Sequence, residues 1–432
     1  MRLEIRNRIE NIKNKNIPIG YKKVVRFIIP NVWEFIEIGK IAKQVSDLNN
    51  ENKNYNVLSC TKYDGLVDSL RYFKKQIFSN DLNKYKKVHY NYFAYATNHI
   101  DEGSIGLQEL YDVGLVSPMY TVFKTKEVVN KYLYALLKTE NYRRIYKTMM
   151  SASVDRRGSL RWKDFSKIRI PFPPYHEQEK IAEILSTCDK VIELKEKLIE
   201  QKKLQKKYLM QAFLNPKSPN FRRLPGFDKD WEEVELGSLG EFKTSSVDKK
   251  DYENQETVEL LNYMDVYRNP IIDNSLKLIK VTASIEQIKT FGLGYGDILF
   301  TPSSETPDDI GHSAVFKRYK GTVLYSYHLV RMKLIKKMDI DFRGYIFNVN
   351  YLLNEFSKRA TGATRYTLSL KDFKEVFIKL PKDVKEQAAI AKILSTVDQE
   401  VEFLEKELEQ QKLKKKALMQ LLLTGKVRVN VS

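Results

Sequence analysis

The chain has 432 residues, 42% of them hydrophobic and 12% aromatic, enough for two or three domains with real cores and too apolar for a disordered chain. Lys and Arg number 74 against 55 Asp and Glu, a formal charge of +19. That balance favours a polyanionic partner, most simply nucleic acid, although a lysine-rich composition alone gives the same sign. No apolar run is long enough to span a membrane, MRLEIRNRIENIKNK has no apolar secretion core, and Cys60 and Cys188 suggest no disulfide framework, so a cytoplasmic protein is expected.

After a basic leader, Pro30–Asp47 reads PNVWEFIEIGKIAKQVSD, and a related stretch returns at Phe227–Asp248. Trp33, Glu34, Glu37 and Gly39 match Trp231, Glu232, Glu235 and Gly237 at a constant offset of 198. Short segments rich in Val, Tyr and Phe predict strands at Tyr55–Ser59, Tyr92–Thr97 and Met119–Phe123, with a turn cluster at Asp101–Gly106 and helix over Lys126–Lys147. The second domain repeats the plan, with strands expected at Val258–Leu261, Asp297–Thr301 and Val323–Tyr327. A turn cluster covers Thr301–Gly311, and helix is expected over Asp341–Thr361. Each domain closes on a shared signature, RGSLRWKDF at Arg157–Phe165 and RYTLSLKDF at Arg365–Phe373. Alternating apolar residues then predict a last strand.

The strongest repeat follows. Residues 176–214 and 385–423 align without a gap at an offset of 209, with 22 of 39 positions identical. Such self-similarity is to be read before any other feature. Both copies follow a proline-bearing segment and run without Gly or Pro, so each is a long helix. Ile390, Leu394, Val397, Val401, Leu404 and Leu408 step by four and three, the spacing of a heptad seam; Ile181, Leu185, Cys188, Ile192, Lys195 and Ile199 hold the same places in the first copy. Two arrangements fit: each helix buried against its own domain, or the two copies paired as an antiparallel coiled coil. The second puts a domain at either end of a helix that spans roughly 58 Å at 1.5 Å per residue, about 17 base pairs of DNA. Asn215–Gly226, with its Pro, Gly and Ser, reads as a linker.

Catalytic motifs are weak. Phe172-Pro-Pro-Tyr175 resembles the polar-Pro-Pro-aromatic motif of amino-methyltransferases, but that chemistry needs a polar first residue to hold the target amine, and the second repeat has Leu380-Pro-Lys-Asp383 there. Gly292-Leu-Gly-Tyr-Gly296 precedes a predicted strand instead of opening a helix, so it reads as a turn and not a cofactor loop. No nucleotide-binding G-x-x-x-x-G-K-S/T occurs, and none of the five histidines pairs with Cys or His at metal-ligand spacing. No catalytic residue, metal site or cofactor is therefore expected in this chain.

Binding residues remain. Lysine and arginine clusters load the first domain, and Lys243 and Arg365 contribute to the second, beside polar, turn-rich edges suited to phosphate or base-edge hydrogen bonds. The candidate DNA-binding residues are Lys74, Lys75, Thr97, Asn98, Arg156 and Arg157 in the first domain. In the second they are Lys243, Thr244, Ser245, Thr301, Ser303, Ser304, Arg365 and Tyr366. Arg157 and Arg365 stand at matching places and fit either base contacts or structural ion pairs.

The order of a variable domain, IPFPPYHEQEKIAEILSTCD with its helix, LPGFDKDWEEVELGSLGEF, a second variable domain and LPKDVKEQAAIAKILSTVD resembles the specificity subunit of type I restriction–modification systems. The resemblance covers nearly the whole chain, and the doubled EQ-x-x-I-A-x-I-L-S-T-x-D carries it; IIPNVWEFIEIGKI and LPKD are its weaker matches. It implies an α+β fold of two tandem repeats, each a strand-rich target recognition domain followed by a long helix, the helices pairing as an antiparallel coiled coil. The implied boundaries are residues 1–171 and 227–380 for the recognition domains, 172–214 and 381–425 for the helices, and 215–226 for the linker.

It also implies partners: double-stranded DNA read as a bipartite asymmetric site, two adenine-N6 methyltransferase subunits, and restriction subunits. S-adenosylmethionine, ATP and Mg would belong to those partners. Ile181, Leu185, Ile192, Ile390, Leu394 and Val401 are the expected helix positions for partner docking. Competing readings are a coiled-coil scaffold with two protein-binding heads, a stand-alone DNA-binding protein, and a self-contained methyltransferase or nuclease, which would need the cofactor motifs that fail above.

Overall fold

The structure is a computed structural model that describes residues 3–25, 27–51, 53–151 and 158–429. It divides into two compact units, Met1–Glu196 with Glu407–Ser432, and Lys197–Lys406. Each unit thus holds about half of each long helix, Tyr175–Leu214 and Val384–Leu422.

In unit 1 the basic leader forms a helix, Leu3–Lys13, and a hairpin of Tyr21–Val24 with Phe27–Pro30. The body centres on a four-stranded sheet in the order Ala42–Val45, Tyr120–Thr125, Phe93–Ala96, Ile105–Leu107. Phe93–Ala96 is buried at every position, as an inner strand covered on both faces must be, and Phe93 stacks on Phe123 at 4.9 Å. In unit 2 a five-stranded sheet runs Gly240–Thr244, Val330–Leu334, Ile298–Phe300, Ser313–Phe316, Ile271–Ile272. A second sheet joins Ile279–Ala283, Glu256–Leu261 and Val323–Tyr325.

Both units close the same way. The first repeated strand pairs antiparallel with the last: Glu34–Glu37 with Arg169–Phe172, and Glu232–Glu235 with Phe377–Leu380. The duplicated glycines follow from this closure. A Cβ on Gly39 would stand 3.3 Å from the Ser166 carbonyl, and one on Gly237 would stand 3.2 Å from that of Lys374. The shared signatures supply Phe165 and Phe373, both fully buried at the centre of their aromatic clusters.

Several elements fall differently from expectation. Helix over 126–147 is two helices, Asn130–Leu137 and Glu140–Ser151, because the Thr139 hydroxyl bonds back to the Leu136 carbonyl and its own carbonyl starts the next helix. Helix over 341–361 likewise splits into Ile340–Ile346 and Asn350–Arg359. The strand expected at 55–59 shifts to Leu58–Thr61, where it forms a hairpin with Gly65–Asp68. The proposed linker 215–226 is packed: Arg222 donates to the Ala212 carbonyl at 2.7 Å, and Leu224 lies against the unit 2 core.

The long helices run antiparallel within each unit. In unit 1, Lys195 meets Glu407 at 2.8 Å and Asp189 meets Lys415; in unit 2, Lys202 meets Glu400 and Lys206 meets Asp398, both at 2.6 Å. Ile199, Val397 and Leu408 of the seam are buried, and Cys188, Ile192, Lys195, Val401 and Leu404 are half-buried. The first turns do something else. Ile181 and Leu185 belong to the unit 1 core with Trp33 and Phe165, and Ile390 and Leu394 to the unit 2 core with Phe373. Both arrangements considered from the sequence are therefore realised, in successive parts of the same helix.

The doubled Glu-Gln of the repeat holds body to helix. Glu177 is fully buried; Trp33 Nε1 donates to it at 2.9 Å, and Arg428 grips it with two donors at 2.9 and 2.8 Å. Glu386 is 1% exposed and receives Trp231 Nε1 at 3.1 Å and Arg223 at 3.2 and 2.9 Å. Gln178 accepts from Val129 N and donates to the Pro173 carbonyl, as Gln387 does with Asp339 N and the Pro381 carbonyl. Losing one partner of a buried ion pair strands the other charge. Arg223→Met is expected to cost about 3 kcal/mol by that principle, read as a lower denaturation midpoint, and Glu386→Gln added to it should restore part of the loss.

Candidate nucleic-acid interface

In unit 2 the loop after Ile298–Phe300 turns back through Ser303–Ser304, which pair antiparallel with Tyr366–Thr367. Two candidate segments some sixty residues apart thereby meet, and Arg365 Nη2 donates to Ser303 Oγ at 3.1 Å. Beside them opens a pocket of about 470 Å³ whose walls include Tyr263, Tyr267, Glu305, Asp309 and Arg365. The Tyr263 and Tyr267 rings stack at 6.0 Å. Tyr267 Oη donates to Asp309 Oδ2 at 2.9 Å, and His312 Nε2 lies 2.8 Å from Asp309 Oδ1.

Charge and burial are visible in the titrating groups. Burial, above all, raises the Tyr263 hydroxyl, with Asp309 and Glu305 adding to the rise and Arg365 opposing it. The hydrogen bond to Asp309 is the main reason Tyr267 is raised. Burial first, and then the cations of Arg365 and Lys249, lower the pKa of His328. Lys249 and His328 thus belong to the same electrostatic neighbourhood as Arg365.

The remaining unit 2 candidates divide by exposure. Lys243 and Thr244 are exposed at the end of Gly240–Thr244, with the Lys243 ammonium 5.4 Å from the Phe291 ring centre. Ser245 Oγ accepts from Val247 N, a local turn bond. Thr301, Ser303 and Ser304 are buried and shape the loop; Thr301 N donates to the His312 carbonyl, and Ser304 Oγ accepts from Thr306 N. Arg365 is exposed, and Tyr366 is half-buried against the core.

In unit 1, Lys74 and Lys75 are exposed at the end of Ser69–Phe73, Lys74 with the left-handed φ of 53° that stops the helix. Thr97 and Asn98 are half-buried; Thr97 Oγ1 donates to the Met119 carbonyl at 3.2 Å, and its own carbonyl accepts from Leu160 N. Arg156 and Arg157 lie outside the described residues. Some of the cations counted from the sequence are structural. Lys86 donates to the Pro118 and Tyr120 carbonyls with its pKa lowered by burial, Arg143 donates to the Asp101 carbonyl, and Arg359 pairs with Glu355.

The expected docking side chains need correction. Ile181, Leu185, Ile390 and Leu394 are 0, 3, 1 and 0% exposed and are spent inside the units; Ile192 and Val401 are half-buried. Exposed apolar residues of the helices include Leu194 and Leu413 in unit 1 and Leu204 and Phe403 in unit 2, besides Tyr175, Leu198 and Tyr208 of the first helix. The 209-residue offset pairs Leu194 with Phe403 and Leu204 with Leu413, a signal that only positions outside the seam could give. The Tyr263, Tyr267, Asp309 and His312 cluster has no signature in the sequence, since no local pattern joins residues so far apart. Among the described residues no group of His, Cys, Asp and Glu is placed to hold a metal, and no helix is long and apolar enough to cross a membrane.

Comparison with known proteins agrees with this architecture. The family model described as the type I restriction modification DNA specificity domain matches twice, over residues 30–203 and 228–413. The MjaVIII type I restriction enzyme specificity subunit of Methanocaldococcus jannaschii is 24% identical over 95% of this chain and 96% of its own. The MjaIX specificity subunit of the same organism is 31% identical over 28% of this chain and 29% of its own. A chain solved in a study of complex assembly and conformational transition of the type I R-M system has a TM-score of 0.58 at 15% identity, covering 92% of this chain and 99% of that one. The type I S subunit from M. genitalium has a TM-score of 0.51 at 16% identity, covering 93% and 98%. The chain belongs to the type I restriction–modification DNA specificity family, contributing DNA recognition and not catalysis.

Proposed function

We propose that each unit reads one half of a bipartite, asymmetric DNA site, that the paired helices set the unspecific spacer, and that two adenine-N6 methyltransferase subunits dock on those helices. S-adenosylmethionine would enter with the methyltransferases, and ATP and Mg with restriction subunits, in the cytoplasm of a bacterial or archaeal cell.

The observation that carries the docking is that the four most exposed apolar residues of the helices fall at corresponding places of the two repeats. Buried positions repeat because each unit needs the same core. Leu194 with Leu413, and Leu204 with Phe403, are 55–65% exposed and do nothing for either core. Large apolar side chains held out on a rigid helix mark protein contacts. Two such sets built from corresponding positions suit two copies of one partner. The DNA part draws on the +19 charge and the exposed Lys74, Lys75, Lys243 and Arg365.

Co-expression with the adenine methyltransferase encoded beside its gene tests the assembly. The native mass should correspond to two methyltransferases on one copy of this chain. Leu204→Glu with Phe403→Glu should remove one methyltransferase and leave the other; retention of both would refute these residues as a docking surface. For the DNA contacts, raising salt from about 50 to 200 mM should weaken binding by roughly 10³-fold or more if six or more phosphates are neutralised. A flat salt response would exclude that electrostatic grip.

A further inference from the structure

The pocket beside Arg365 is poorly suited to a phosphate. Glu305, exposed on one wall, and Asp309 on another would both repel it. Asp309 is occupied, with its oxygens held by Tyr267 and His312. Glu305 and Arg365 differ from it: among the described residues neither makes an ion pair, so the structural ion pair left open from the sequence does not account for Arg365. Its one fixed point is Ser303, 8% exposed, which receives Nη2 and holds the guanidinium plane while the rest of the side chain faces solvent.

A neutral ligand edge carrying acceptors for Arg365 and a donor for Glu305 satisfies both groups. In the major groove a G·C pair presents that set: guanine O6 and N7 accept from an arginine fork, and the cytosine amino group donates to a carboxylate. The stacked Tyr263 and Tyr267 and the Asp309–His312 bond hold the pocket wall in place beside Arg365 and Glu305.

We propose that Arg365 and Glu305 together read one G·C base pair in the half-site recognised by unit 2, Arg365 donating to guanine O6 and N7 and Glu305 accepting from the cytosine amino group. This rests on the recognition of DNA by two half-sites proposed above.

The test uses the full chain assembled with its methyltransferase subunits, with methylated positions mapped by sequencing native DNA. Wild-type protein should give a bipartite site with an invariant G·C pair in one half. Arg365→Ala should make that pair degenerate, lowering discrimination roughly 10- to 100-fold, and leave the other half-site unchanged. Glu305→Ala should relax the same pair, and Arg365→Lys, which keeps the charge without the fork, should relax it too. These two serve if Arg365→Ala does not assemble. An unchanged site in the variants would overturn the proposal. So would a uniform loss of methylation over all sites, restored at low salt, since that is the signature of a phosphate contact. Failure of the wild-type complex to methylate any bipartite site would instead refute the proposed function, a separate outcome.

Discussion

Two buried carboxylates, Glu177 and Glu386, each hold a domain body to the start of its long helix. Each sits in the first turn of a long helix, where the unsatisfied backbone amides and the helix dipole favour an anion. Each is removed from water, and its charge is met by a tryptophan indole from the first strand of the domain and by a bidentate arginine. Burial without those donors would cost several kcal/mol. The pairing therefore fixes the angle at which strand, proline segment and helix meet. The arginines come from the stretches after the helices: Arg223 follows the first helix and serves the second repeat's Glu386, and Arg428 follows the second helix and serves Glu177. Neither repeat could complete its own junction alone.

Once the helix starts are fixed, the rest of each helix is free to pair. Isolated surface ion pairs are worth at most about 1 kcal/mol each, so pairs such as Lys202–Glu400 and Lys195–Glu407 serve mainly to select antiparallel register. The stabilisation comes from the apolar seam, at about 1.5–3 kcal/mol for each fully buried Leu or Ile.

The two heads share their frame and differ in their sheets. Strand closure, Gly39 or Gly237, and Phe165 or Phe373 recur. The four-stranded sheet of unit 1 and the mixed five-stranded sheet of unit 2 do not. The junction is thus the same in both units while the sheets it carries differ. The Tyr263, Tyr267, Asp309 and His312 cluster shows the edge itself being made rigid by polar contacts.

The sequence alone determined the duplication, the long helices and their seam, the strand-rich character of the domains and the absence of a catalytic motif. These are legible because they are periodic or repeated, and periodicity reports local backbone geometry directly. Matching Trp33 with Trp231 and Glu177 with Glu386 was within reach of the sequence; that each tryptophan donates to its glutamate was not, because the pairs lie 144 and 155 residues apart. Only the tertiary structure decided that Ile181 and Ile390 join the cores of the domain bodies while Ile192 and Val401 stay half-buried, since all four lie on one heptad seam. It alone decided that Lys86 is spent on backbone carbonyls while Arg365 makes no ion pair among the described residues. Charge can be counted along a chain, but its availability depends on which groups the fold brings within hydrogen-bond reach.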